Sequence, residues 1–175
     1  MRPKVLVTAA SRHHATHEIA EAIAAVLVDR GIAAEALPIE QVTEFGEYGA
    51  VVLGSGVYAN RWLGEARRFA QIHASELTRM PVWLFSSGPV GNPGHLIPPG
   101  VAADVPVLLR LTRAVGHRTF GGRLEMKGLH FAERAIVRST HVPEGDSRDW
   151  DAVERFGGEI AGELLGAGAA WDGPE

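Results

Sequence analysis

Hydrophobic positions along the chain fall into two rhythms that take turns. Lys4–Ala10 (KVLVTAA), Gly49–Gly54 (GAVVLG) and, after Pro81, Val82–Ser87 (VWLFSS) are unbroken apolar runs. They are too short for helices and too continuous for half-exposed strands, so they predict buried strands. Between them Ile19, Ile23, Val26 and Leu27 recur at helical spacing from Thr16 onward, and Gly31 supplies the stop. A second helix is predicted over Leu63–Leu77, with Ala66, Phe69, Ala70 and His73 on one face. Ala33–Ile39 reads as a weaker strand, which Pro38 places at a sheet edge. Strand and helix in alternation demand a parallel sheet covered on both faces.

The pattern loosens after Ser87. Gly88–Gly100 carries four prolines and four glycines in thirteen residues and predicts a loop. Ala103–Val115 predicts a helix, and His117–Leu124 a fifth strand interrupted by Gly121 and Gly122. Met126–Arg138 has helical spacing at Leu129, Ala132, Ile136 and Val137. The final helix is expected from Asp149 to Leu165, with Asp146, Asp149 and Asp151 at its positive end. Trp83 is expected in the core, and Trp150 as a staple between the last helix and the sheet. No repeat or linker divides the chain, so 1–166 reads as one domain and 167–175 as a flexible tail.

Composition narrows the chemistry. The 175 residues suffice to bury about 70% of the unfolded surface without a covalent staple. The absence of cysteine excludes disulfides, thiolate metal centres and cysteine nucleophiles. Seventeen basic and twenty-one acidic residues leave a net charge of −4, which is no nucleic-acid footprint. The apolar stretch Ala22–Val28 is far short of a transmembrane span, and Arg2 and Lys4 precede a strand rather than a signal-peptide core. The expected location is the cytoplasm, with a peripheral membrane contact left open.

In an open parallel sheet the ligand sits beyond the carboxyl ends of the strands, where strand order reverses. Three hydroxyl-bearing stretches, the second and third also carrying glycine, follow the apolar strands: Ser11-Arg12-His13-His14-Ala15-Thr16, Ser55-Gly56-Val57-Tyr58 and Ser87-Gly88-Pro89-Val90-Gly91. No glycine precedes Arg30, which removes the dinucleotide fingerprint. No Gly-Lys pair occurs, which removes the nucleotide P-loop. Thr8, Ala9 and Ala10 replace the carboxylates of a receiver domain, and Gly54-Ser55-Gly56 misses the hydrolase spacing. What remains is a hydroxyl-rich turn running into a helix N-terminus, which suits a phosphate. His13 and His17 lie four apart, but no further ligand is fixed nearby, so no metal is expected.

These three stretches resemble the loops of the flavodoxin-like proteins. That resemblance implies a three-layer sandwich with a five-stranded parallel sheet in the order 2-1-3-4-5 and helices on both faces. It implies flavin mononucleotide (FMN) as cofactor, with Ser11–Thr16 as phosphate loop, Ser55–Tyr58 as second loop with Tyr58 against the ring, and Ser87–Gly91 around the ring edge. Phe120–Leu124 (FGGRL), the long loop before it and Asp149-Trp150-Asp151 look like the branch of quinone-dependent protoporphyrinogen dehydrogenases. The branch implies an oxidoreductase of heme biosynthesis with a porphyrinogen substrate and a quinone acceptor or other redox partner. Its substrate face would be Lys127, Phe131, Arg134 and Arg138, backed by Leu129 and Ile136, with the hard chemistry borne by the flavin and no catalytic acid or base evident. His14 stands where such phosphate loops carry glycine; it either donates to the phosphate or weakens binding. A soluble electron carrier and a module of the same fold without flavin are the rival readings. Carriers of this kind are strongly acidic, and −4 is not.

Overall fold

A computed structural model describes residues 4–88, 101–140 and 144–167. Strand β1 (Lys4–Ala10) and helix α1 (Ala15–Asp29) follow the sequence pattern closely, and Gly31 takes φ 82° just past the helix end. Strand β2 (Ala34–Pro38) is an edge strand, as its proline requires. Strand β3 (Tyr48–Tyr58) is nearly twice as long as its apolar run, because Ser55–Tyr58 continue the strand instead of forming a loop. It turns through Ala59 and Asn60, both with positive φ, into the short strand β4 (Arg61–Trp62). Two consecutive left-handed residues give the turn whose twist matches that of the hairpin strands.

The second predicted helix is interrupted. Helix α2 (Gly64–Ile72) ends at His73, and a single turn, α3 (Ala74–Leu77), follows. After β5 (Val82–Ser87), helix α4 (Val105–Thr112) is shorter than its apolar pattern, and Arg113 closes it in the left-handed region. The predicted fifth strand divides into β6 (Gly116–Phe120) and β7 (Arg123–Leu124); β7 leaves the sheet and pairs with β8 (Gly145–Asp146). The predicted helix over 126–138 starts later, as α5 (Phe131–Thr140), because Met126–Gly128 form a tight 3-10 turn and Leu129 is extended. Helix α6 (Trp150–Gly166) begins at Asp149, whose side chain accepts the Ala152 N–H at 3.0 Å.

The parallel strands lie in the order β2-β1-β3-β5-β6, with β4 antiparallel to β3. Counting only the parallel strands, this is the expected 2-1-3-4-5 sheet. Alternation along each strand sends one set of side chains to each face. Val5, Val7, Ala50, Val52, Trp83, Phe85 and Phe120 pack under α1 and α6. Leu6, Val51, Leu53, Val82 and Leu84 pack under α2, α4 and the hairpin residue Trp62. Trp83 is core, as expected, and its indole N–H reaches Glu163 at 3.2 Å. Trp150 is no staple: it is largely exposed and stacks on Arg148, 4.5 Å from guanidinium carbon to ring centroid.

Candidate functional site

The chain crosses from β1 to α1 through Ser11–His14. The Ser11 hydroxyl accepts the Thr16 N–H at 3.2 Å and so caps the helix. His14, the residue just before α1, has φ 64° and ψ −15°. That left-handed conformation costs a residue with a side chain about 1–2 kcal/mol, and it is the one glycine would adopt freely. Through this kink Ala15 N–H turns back to the His13 carbonyl (2.8 Å) and Glu18 N–H to the His14 carbonyl (3.0 Å). The amides of Arg12, His13 and His14 have no acceptor among the described residues. The side chains of Arg12, His13 and His14 are exposed around them. Amides of this kind, the positive end of a helix and basic side chains are together suited to cradle an anion. Thr16 stands apart from it: the residue is buried, and a Cβ added at Gly56 would come within 3.3 Å of its hydroxyl.

The β3–β4 hairpin is held beside this cradle by buried polar groups. Trp62 N–H donates to both carboxylate oxygens of Asp104 (3.2 Å each), and Ala103 N–H to the Asn60 carbonyl (2.9 Å). Arg61 and Arg67 approach the same Asp104 carboxylate at 3.8 and 3.5 Å. The Trp62 indole donates to Ser86 Oγ at 2.7 Å, and Ser86 Oγ lies 2.7 Å from His117 Nε2. Burial, with a smaller push from Arg118, lowers the His117 pKa to about 4. A neutral ring accepting the Ser86 hydroxyl proton fits that environment. Ser55 Oγ accepts the Leu63 N–H at 2.9 Å. Tyr58 is half-buried and packs on the α2–α4 core.

Beyond β5, Gly88 N–H donates to the Phe120 carbonyl at 3.0 Å. A Cβ at Gly122 would meet Gly88 Cα at 3.1 Å, and one at Gly121 would come to 2.1 Å from the Ser147 carbonyl oxygen. The paired glycines are therefore a seam where three backbone segments meet. Arg148, next to Ser147, ties that seam to the first turn of α1. Its side chain is 4% exposed, bonds Asp146 (2.7 and 2.9 Å) and the Ala15 carbonyl (3.2 Å), and pairs with Glu18. Arg123 reaches the same Glu18 at 3.0 Å. The hydrogen bond from Arg148 holds the carboxyls of Glu18 and Asp146 below the usual range.

Helix α5 reaches this turn through Glu133. Arg12 Nη1 lies 3.5 Å from Glu133 Oε1, while the Arg12 guanidinium sits over the Tyr58 ring, 4.7 Å from its centroid. Glu133 Oε2 accepts the His130 N–H at 3.0 Å, closing the start of the helix. That bond, with the nearby charges of His13, His130 and Arg12, lowers the Glu133 pKa.

A family model described as the flavodoxin domain matches residues 6–151. The chain belongs to the flavodoxin domain family. A sequence search of curated proteins finds no match. Among solved structures, this flavodoxin-domain protein is similar to a flavodoxin from the domain Archaea, at 15% identity over 91% of this chain and 97% of that one, TM-score 0.62. It is similar also to flavodoxin 1 of Bacillus cereus, at 19% identity over 90% and 96% of the two chains, TM-score 0.59. A flavodoxin of Streptococcus pneumoniae aligns at 16% identity over 91% and 99%, TM-score 0.61. At such identities the likeness is one of fold. None of these findings points to the protoporphyrinogen dehydrogenase branch.

Within this flavodoxin-domain protein, Ser11–Thr16, Ser55–Tyr58, Ser87 and Gly88 do converge. Ala10 pairs with Ser55 and Gly56 with Ser87, and Arg12 crosses to Tyr58. Pro89, Val90 and Gly91 lie outside the described residues, as does the tail from 168 onward. The expected substrate face is only partly assembled. Phe131 is 90% exposed, and Lys127 and Arg138 are exposed. Leu129 is buried beneath the 3-10 turn, and Arg134 spends its Nε–H on the Met126 carbonyl at 3.1 Å. The side chain of Ile136 is outside the described set. Sequence reasoning missed Glu133, Asp104, His117 and Arg148. Glu133 and Asp104 had local signals, a carboxylate three residues into a helix start and an aspartate just before a helix with proline in its first turn. No helix among the described residues is long and apolar enough to cross a membrane.

Proposed function

We propose that the chain binds FMN non-covalently and works as a redox protein. The observation that carries this reading is the set of Arg12, His13 and His14 amides at the start of α1, which have no acceptor among the described residues, with Tyr58 beside them. The residues present fit the group. The amides and the basic side chains of the turn would hold the phosphate, Tyr58 would face the ring, and Ser87 and Gly88 would border its edge. Pro89, Val90 and Gly91 extend that border in the sequence. When bound, the flavin supplies electron transfer in steps of one or two. The chain's own part is to bind the phosphate, exclude water from one side of the ring and set the local charge. Chromatography of extracted cofactor should find FMN, not the dinucleotide, in stoichiometric amount; no flavin after incubation with excess would overturn the reading.

A second, narrower reading is oxidation of a porphyrinogen with a quinone acceptor. The exposed Phe131 flanked by Lys127 and Arg138 favours it, because an apolar ring bearing carboxylates suits that combination. The burial of Leu129 leaves less apolar surface for it than the sequence promised. Turnover of protoporphyrinogen that is lost in a Lys127→Ala, Arg138→Ala variant, with flavin retained, supports the enzyme. A flavoprotein that accepts electrons from a reductase and ignores the porphyrinogen is a carrier.

A further inference from the structure

Arg12 has two partners that a phosphate-loop side chain does not need. Its guanidinium lies over Tyr58 at 4.7 Å, and its Nη1 faces Glu133 at 3.5 Å. Glu133 is anchored independently, because its other oxygen closes the α5 start on the His130 N–H. Tyr58 packs against the α2–α4 core, so its remaining face is the one Arg12 covers. A planar cation in stacking contact leaves no room for a second ring between itself and the tyrosine.

We propose that Arg12 is an internal competitor for the ring-binding face of Tyr58: ring stacking there and the Arg12–Glu133 contact to α5 exclude one another. This rests on the reading that Tyr58 receives a flavin ring. Displaced from Tyr58, the guanidinium is still tethered to the turn that carries the amides of residues 12–14. A phosphate held there would draw it away from Glu133. A flavin without phosphate offers no such compensation and must displace Arg12 unaided. The arrangement therefore makes the phosphate group decide whether a ring enters, and it couples ring entry to loss of the Arg12 contact that steadies the first turn of α5.

The test uses FMN and riboflavin as probes on the wild type, Arg12→Met and Glu133→Gln. Methionine keeps an unbranched apolar stem without charge, and glutamine keeps an acceptor for the His130 N–H. An exposed cation–π contact corresponds to about a two- to fivefold effect, so Arg12→Met should bind riboflavin more tightly by roughly that factor. The margin of FMN over riboflavin should shrink, because the phosphate loses its cation. Glu133→Gln should shift riboflavin affinity in the same direction but less, as an exposed ion pair contributes little. Hydrogen exchange supplies a readout without ligand: amides of residues 131–134 should exchange faster in Arg12→Met than in wild type. Riboflavin affinity unchanged or weakened in Arg12→Met overturns the proposal. If no variant binds either flavin, the flavin reading falls, and exchange still decides the Arg12–Glu133 contact: equal rates overturn it and faster rates support it.

Discussion

The two faces of the sheet are built from different materials. Under α1 and α6 the core is almost wholly apolar, with Phe120 set between Phe85 (6.1 Å, tilted) and Phe156 (5.7 Å, edge to face). Under α2, α4 and the hairpin, the carboxyl ends of the strands bury hydroxyls instead: Thr8, Ser55 and Ser86. Asp104 and the Trp62 indole complete a chain of hydrogen bonds there. Apolar packing is non-directional and contributes stability, whereas satisfied polar groups fix one geometry. The second face therefore positions the hairpin that carries Tyr58, and the first keeps the domain folded. Stability and site geometry are separable in this protein, and substitutions should show it.

The largest effect belongs to the apolar face. Phe120→Ala should lower global stability by about 3–5 kcal/mol in denaturant unfolding, with amides across the whole sheet exposed together. Asp104→Ala should cost about 1–3 kcal/mol, since it leaves the Trp62 N–H without its acceptor. Its signature is local: exchange at residues 61–63 should rise well before the β1 and β5 amides respond. Equal and global losses in the two variants would end the distinction between the faces.

The smallest effect is a pH dependence. His117 has a folded pKa near 4 against an ordinary value of 6.5, lowered chiefly by burial. Above about pH 6.5 the ring is neutral in both states and its contribution to stability is fully present. As pH falls toward 4, the unfolded chain takes up the proton and the folded chain does not, so stability is lost over that window. With the ring partly solvated, the loss should be about 1–2 kcal/mol. His117→Gln should flatten the unfolding midpoint between pH 6.5 and 4 relative to wild type.

The sheet was legible because its buried strands are apolar on both faces, and a continuous run such as Val82–Phe85 reads the same from either side. The anchor turn was legible too. Ser11 before a helical pattern signals a cap, and the glycine-like position of His14 was visible as an anomaly that its φ of 64° now explains. Legibility fell where tertiary contact overrules local pattern. Ser55–Tyr58 read as a loop because serine and glycine mark turns, yet β5 and β4 pair with them and keep them extended. Leu129 fitted a helical stripe, but burial pulled it into an extended connection. The contacts of Arg12 with Tyr58 and Glu133 link residues far apart in the chain, and no local spacing announces them.

Helix α6 covers α1, with Gly157 set so close to Val26 that an added Cβ would sit 3.0 Å from it. These helices come from opposite ends of the described chain, and together they roof the apolar face of the sheet. During synthesis β1, β3 and β5 are all made before residue 150, so that face waits half-roofed until α6 has left the ribosome. An unroofed sheet of this kind is the surface on which chains aggregate and which chaperones bind. The site turn is translated well before α6, so the side of its helix that faces α6 waits for its cover. Slow translation between β5 and α6 would lengthen that exposure.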